Sequence, residues 1–191
     1  MQELKDRIVK EGKVLPGNII KVDGFLNHRV DTELLEHIAD EFGRRFDMSR
    51  VTVILTAEAS GIALATVVAH RFGKPMIFAK KAKSDNIEGG LYQSDIFSYT
   101  YKKKVTLLVS KEWLHESDRV LIIDDFMANG EAMRGLCEIV EEAGCELVGI
   151  GCAIEKGFQH GGDKLREAGV NLKSLAILEK AEPGCVEFRE D

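Results

Sequence analysis

Residues 120–132 read Val-Leu-Ile-Ile-Asp-Asp-Phe-Met-Ala-Asn-Gly-Glu-Ala, VLIIDDFMANGEA. Four consecutive apolar residues lead into two adjacent carboxylates, Asp124 and Asp125, and then into a short turn that ends at Gly130. An unbroken Val, Leu and Ile run is the pattern of a parallel strand covered on both faces, and in open α/β sheets ligands bind outside the carboxyl ends of such strands. The next segment, 131–143, places Met133, Leu136, Cys137 and Val140 at i, i+3, i+4 and i+7, the period of an amphipathic helix.

Working outward from this unit, the same alternation recurs. Residues 1–12 carry Leu4, Ile8 and Val9 on one side of a charged helix that Gly12 can end, and 14–22 have the β-branched character of short strands around Pro16-Gly17-Asn18. Asp31 is placed to cap a helix through Phe46 whose face is Leu34, Leu35, Ile38 and Phe42. A strand over 51–56, a helix over 61–72 and a strand over 75–79 form a βαβ unit, and a further strand is expected over 147–154. These elements predict a single α/β domain over 1–191 with a mostly parallel sheet flanked by helices. Its core is expected over about 31–156. Residues 1–30 and 157–191 are expected to form a small hood, the latter with a short helix and two strands around Pro183-Gly184. The polar stretch at about 81–101, containing SDNIEGGLYQSDIFSYT, is expected to be a flexible lid, because long uncommitted loops in compact domains tend to cover sites.

Three anion-handling elements converge at the expected strand ends. The first helical amides after the acid pair, in Ala128, Asn129, Gly130, Glu131 and Ala132, have no intrahelical acceptor and carry the positive end of the helix dipole, which makes a phosphate cradle. Glu131 fits this only if its carboxylate faces away while its amide donates. Asp124 and Asp125 would repel a phosphate but can accept from the hydroxyls of a sugar diol carrying that phosphate. A second strand-to-helix turn, TAEASGIA over 56–63, offers amides at Ser60 and Gly61, and Lys80 and Lys81 follow the strand MIFA on the same side. No Gly-Lys-Ser or Gly-Lys-Thr is present, so the acid pair does not belong to a nucleoside-triphosphatase loop.

Composition narrows the partners. A formal charge of −6 argues against a nucleic-acid binder working by phosphate neutralisation. Small molecules and copies of the same chain remain. The four cysteines, Cys137, Cys145, Cys152 and Cys185, lack C-x-x-C spacing and read as buried free thiols of a reducing compartment. No stretch has the apolar length of a membrane span, and the charged first dozen residues do not read as a secretion signal, so a cytoplasmic location is expected.

VLIIDDFMANGEA resembles the phosphoribosyl-diphosphate signature of the type I phosphoribosyltransferases. With VDGFLNHRVD, TAEASGIA, FAKK and IEKGFQ, the resemblance extends along nearly the whole chain to the bacterial branch of that family that uses xanthine. It implies the type I phosphoribosyltransferase fold with hood and flexible loop, and transfer of a 5-phosphoribosyl group from 5-phosphoribosyl 1-diphosphate to a purine in salvage. It also implies Mg²⁺ held largely by the diphosphate rather than by a protein cage, and a homodimer. It carries purine binding onto Ile20, Asn27 and Lys156, the pyrophosphate onto the Lys80-Lys81 strand end, and the catalytic acids onto Asp124 and Asp125; Phe158, by its place near the strand end, is expected to stack on the base. Chemically, Lys156 can donate to the oxygen at purine C6, which disfavours adenine, whereas Asn27 could serve xanthine or, with its amide rotated, guanine. Residue chemistry leaves xanthine, guanine and hypoxanthine open; only the resemblance prefers xanthine. A non-catalytic regulator sensing the sugar diphosphate is the alternative of a different class. Such a protein would be expected to carry a DNA-binding domain and a basic face.

Overall fold

The computed structural model describes residues 1–81, 90–98 and 103–190. Helix α1 (Gln2–Glu11) leads to a hairpin of β1 (Lys13–Leu15) and β2 (Ile19–Lys21), a π-helical turn (Asp23–Asn27) and α2 (Thr32–Arg45). Then follow β3 (Val53–Ala57), α3 (Gly61–Phe72), β4 (Met76–Ala79), β5 (Leu91–Ser98), β6 (Lys103–Ser110), β7 (Arg119–Met127), α4 (Glu131–Glu142) and β8 (Glu146–Lys156). The chain finishes with a 3-10 turn (Gly157–Gln159), α5 (Gly161–Glu167), β9 (Leu172–Glu182) and β10 (Cys185–Phe188).

Six strands in the order β10-β9-β8-β7-β3-β4 make the central sheet, parallel throughout except for the antiparallel edge strand β10. Alternation along β7 sends Leu121 and Ile123 to one face and Val120 and Ile122 to the other. The first face is covered by α1, α2 and α3 through Leu4, Ile8, Leu34, Leu35, Phe42 and Leu64, the second by α4 and the β5–β6 hairpin through Met133, Leu136, Ile139, Ile96 and Leu107. Asp31 caps α2 as its sequence position requires, its carboxylate accepting from the Leu34 amide at 3.2 Å.

Two expectations change. Within the stretch expected to be a lid, Leu91–Ser98 form a strand paired antiparallel with β6 over eight residues; 82–89 and 99–102 lie outside the described residues. Its polar composition conceals a period of two, with Ser94 and Ile96 buried against Gly135 of α4. The carboxyl-terminal segment does not all form a hood: β9 pairs in parallel with β8 from Ile150↔Leu172 to Lys156↔Leu178 and so belongs to the central sheet. Its Leu172, Leu175, Ala176 and Leu178 bury themselves there, which a position above the sheet would not permit.

Gly151 lies where β8 meets α2: a Cβ there would stand 2.6 Å from the Ile123 side chain and 2.8 Å from the Phe42 ring. Gly151→Ala is therefore expected to lower stability by about 1–3 kcal/mol through overpacking. Adding Phe42→Leu should recover part of that loss, so that urea denaturation shows the double variant less destabilised than the sum of the single ones.

Candidate active site at the split between two strands

The β3–β7 ladder ends at Leu55↔Ile122, whereas β7 continues beside β8 past the acids to Met127↔Glu155. Strand β7 is thus longer than the sequence pattern predicts, because the eleven-residue β8 keeps offering partners after β3 has stopped. Helix α3 crosses one face and α4 the other, so the gap between β3 and β7 is the place where the sheet's winding reverses. Asp124 and Asp125 flank it.

Asp125 is 1% exposed, and both of its carboxylate oxygens are used: the Ser60 hydroxyl donates to one at 2.8 Å and the Asn27 amide to the other at 3.0 Å. Three segments that are distant in sequence therefore meet on one carboxylate. Asp124 accepts from the Asp125 backbone amide at 3.1 Å, and burial, followed by the charge of Asp125, pushes its pKa well above the usual carboxylate range. Gly61 roofs it closely: a Cβ at Gly61 would collide with both the Asp124 carboxylate and the Thr56 hydroxyl. Thr56 is fully buried, and its hydroxyl has no hydrogen-bond partner among the described residues. Sequence pattern gave no warning of Thr56, since a Thr in a strand is ordinary until the acid beside it is known.

The first anion cradle sits at the amino terminus of α4. Gly130 adopts φ +81°, which a glycine tolerates and which turns the backbone of Ala128, Asn129 and Gly130 into the helix. The Glu131 carboxylate is held outside this loop by Arg134 at 3.1 Å and by the Phe97 amide of β5 at 3.3 Å. The Arg134 guanidinium holds its pKa below the usual value, so Glu131 is an anion anchored to the hairpin while its amide, with that of Ala132, opens α4.

The second cradle is the turn after β3, where a cis peptide joins Glu58 to Ala59 and α3 begins behind Ser60. Lys80 exchanges both backbone bonds with Leu108 of β6, at 2.9 and 2.8 Å, and the Lys81 amide donates to the Glu58 carboxylate at 2.5 Å. Glu58 thus ties the pyrophosphate-side turn to the lysine-bearing strand end, a link that sequence reading did not find. The Lys81 charge opposes the upward shift of Asp124.

The base-side residues are split. The half-buried Lys156 ammonium donates to the Asn18 carbonyl in the β1–β2 turn at 3.0 Å and stands 5.5 Å from the Phe126 ring centroid; burial draws its pKa below the ordinary lysine value. Ile20 and Phe158 pack against the first apolar cluster. Asn27 donates one N–H of its side-chain amide to Asp125.

A model of the phosphoribosyl transferase domain matches residues 29–170. The chain is 54% identical over 193 residues to a xanthine phosphoribosyltransferase of Lachnoclostridium phytofermentans, covering all of both chains. To that of Bifidobacterium adolescentis it is 51% identical over 192 residues, covering 99% of this chain and 100% of the relative. Among solved structures it resembles the adenine phosphoribosyltransferase of Giardia lamblia complexed with 9-deazaadenine (TM-score 0.75, 22% identity, 91% of this chain and 96% of that one). The corresponding enzyme of Saccharomyces cerevisiae gives TM-score 0.75 at 20% identity over 91% and 97%.

The acid pair has a measurable pH signature. Native Asp124 keeps its proton above the pH at which an unfolded Asp, with its ordinary value of 3.8, releases it. Its contribution to stability is therefore complete below that value and is lost as the pH rises toward the native pKa. Asp124→Asn has no such proton to lose. Thermal denaturation should show the variant at least as stable as the parent at pH 7, with the difference vanishing near pH 4, although turnover falls by about a hundredfold or more. A variant that loses stability at pH 7 but not at pH 4 would mean that the carboxylate is ionised and held by native donors.

Proposed function

The chain belongs to the phosphoribosyl transferase domain family, and we propose how its residues carry out that family's reaction. It transfers the 5-phosphoribosyl group from 5-phosphoribosyl 1-diphosphate to N9 of xanthine, giving xanthosine 5′-monophosphate and pyrophosphate in purine salvage. The observation that carries the residue assignment is the meeting of Ser60, Asn27 and the acid pair at the strand split, between the turns that open α3 and α4.

In this reading the amides of Ala128, Asn129, Gly130, Glu131 and Ala132 hold the 5′-phosphate, while Ser60, Gly61 and the Lys80-Lys81 strand end hold the pyrophosphate. Asp124 and Asp125 accept from the ribose hydroxyls. The Asp125 carboxylate, with Asp124 beside it, also faces the positive charge that spreads over the ring as the anomeric bond to pyrophosphate breaks and the bond to the purine nitrogen forms. Gripping both ends of the sugar diphosphate holds the anomeric carbon in line with the base. Lys156 donates to the oxygen at C6, Asn27 faces the C2 edge, and Ile20 and Phe158 supply the apolar walls of the base pocket.

Mg²⁺ enters with the diphosphate. Hard oxygen donors suit it, and the Asp125 carboxylate would be such a donor, with substrate oxygens supplying its other ligands. When bound, it offsets negative charge on the departing pyrophosphate. The proposal includes a homodimer, for which the exposed Phe78 and Phe97 offer apolar surface, and a cytoplasmic location suited to four free cysteines, of which only Cys152 is fully buried. No helix among the described residues is long and apolar enough to cross a membrane.

Pyrophosphate release with Mg²⁺, the sugar diphosphate and xanthine, hypoxanthine or guanine in competition tests the reading; preferred use of xanthine is expected. Lys156→Ala should raise KM for xanthine by roughly tenfold to a hundredfold while KM for the sugar diphosphate changes little, because a lost charged donor costs about 1.5–3 kcal/mol. Equal rises in both would remove Lys156 from base recognition.

A further inference from the structure

Glu155 and Lys156 adjoin at the end of β8, and strand alternation sends their side chains to opposite faces. Lys156 faces the site; Glu155 is 0% exposed. Its carboxylate accepts from both terminal nitrogens of Arg166 in α5, at 3.0 and 2.7 Å, and from the Ser174 hydroxyl of β9. The turn between them is pressed on two sides. A Cβ at Gly162 would collide with the Glu155 carboxylate, and one at Gly161 would collide with the Ala128 carbonyl and stand 2.6 Å from the Gly130 amide nitrogen. The phosphate loop, this glycine pair and the buried carboxylate are thus stacked in direct contact.

The Arg166 side chain remains 30% exposed, and an ion pair whose carboxylate is buried is a poor source of net stability, since well-packed apolar groups of similar volume often serve as well or better. What it supplies is fixed geometry. We infer that Glu155 and Arg166 are positioning residues that hold the Gly161-Gly162 turn against the 5′-phosphate loop and fix Lys156 beside the base. One ion pair then sets the spacing between the two ends of the nucleotide product. The inference rests on the assignment of 128–132 to the phosphate and Lys156 to the base.

The test measures kcat, both KM values, the thermal midpoint and calorimetric binding of ribose 5-phosphate for E155Q, R166M, R166K and G161A. Leu114→Ala, in the second apolar cluster away from this turn, serves as a stability control. E155Q and R166M are expected to raise both KM values and the ribose 5-phosphate Kd by roughly tenfold, the scale of a sub-ångström misplacement. R166K, which keeps the cation but loses the fork that meets both carboxylate oxygens, should leave them raised by roughly threefold to fivefold. G161A should weaken ribose 5-phosphate by roughly tenfold and affect xanthine less, whereas L114A should lower the midpoint with both KM values unchanged. If E155Q and R166M behave like L114A, the pair is only structural and the inference falls. Should E155Q fail to fold, unchanged KM values in R166K and G161A overturn it equally. A parent protein that does not bind ribose 5-phosphate refutes the loop assignment itself, independently of the variants.

Discussion

Strands β3 and β7 part after Leu55 and Ile122, and the rest of the site depends on that parting. While the ladder holds, inward residues are apolar and close-packed; beyond it β7 still has β8 on one side but open sheet on the other, and after Ile123 the residues that meet this asymmetry are the two acids. Two adjacent buried carboxylates cannot both ionise cheaply. The structure separates them by environment: Asp125 is satisfied by Ser60 and Asn27, while Asp124 sits under Gly61 with its proton affinity raised. Adjacent groups of one chemical type are thereby given different electrostatic characters, as acid–base and charge-stabilising sites require.

Backbone proximity is the second constraint. Gly61, Gly130 and Gly161 stand where a side chain would enter an acid, distort the loop or strike the loop carbonyl. Removing those side chains lets main-chain amides, which are rigid and cost little ordering entropy, line the site in place of lysines. The acidic net charge of the chain is compatible with a polyanionic substrate for this reason: the local field comes from oriented amides and helix ends, with Lys80 and Lys81 added at one strand end.

The helices and most parallel strands were legible because their signals are local: the Asp31 cap, the Gly61–Phe72 apolar period and the Val-Leu-Ile-Ile run each lie within a dozen residues. Strand β5 was hidden because its inward residues include Ser94, which pairs with Glu138 of α4 at 2.6 Å rather than packing as an apolar group would. Strand β9 was misplaced because the Pro183-Gly184 turn signals a hairpin, and a hairpin is silent about whether one arm also joins a larger sheet. The acid pair, both amide turns and the lysine strand end were readable as motifs. Their wiring was not: Asn27 to Asp125, Ser60 to Asp125, Glu58 to Lys81 and Glu155 to Arg166 depend on which segments the fold brings together.

That wiring also explains how a site built for hydroxyls and a purine stays intact without them. Buried carboxylates need donors at all times, and the half-buried Lys156 ammonium needs an acceptor, or folding bears the full desolvation cost. Ser60, Asn27 and the Asn18 carbonyl fill those roles from within the chain. Ribose hydroxyls reaching Asp125 replace donors of the same kind, so the exchange conserves hydrogen bonds and its net gain comes from the phosphate and pyrophosphate ends. Asn27 holds Asp125 with one N–H of its amide, and the same nitrogen carries a second for a purine carbonyl. The sugar and base subsites therefore share one side chain. Both follow from where β3 leaves β7.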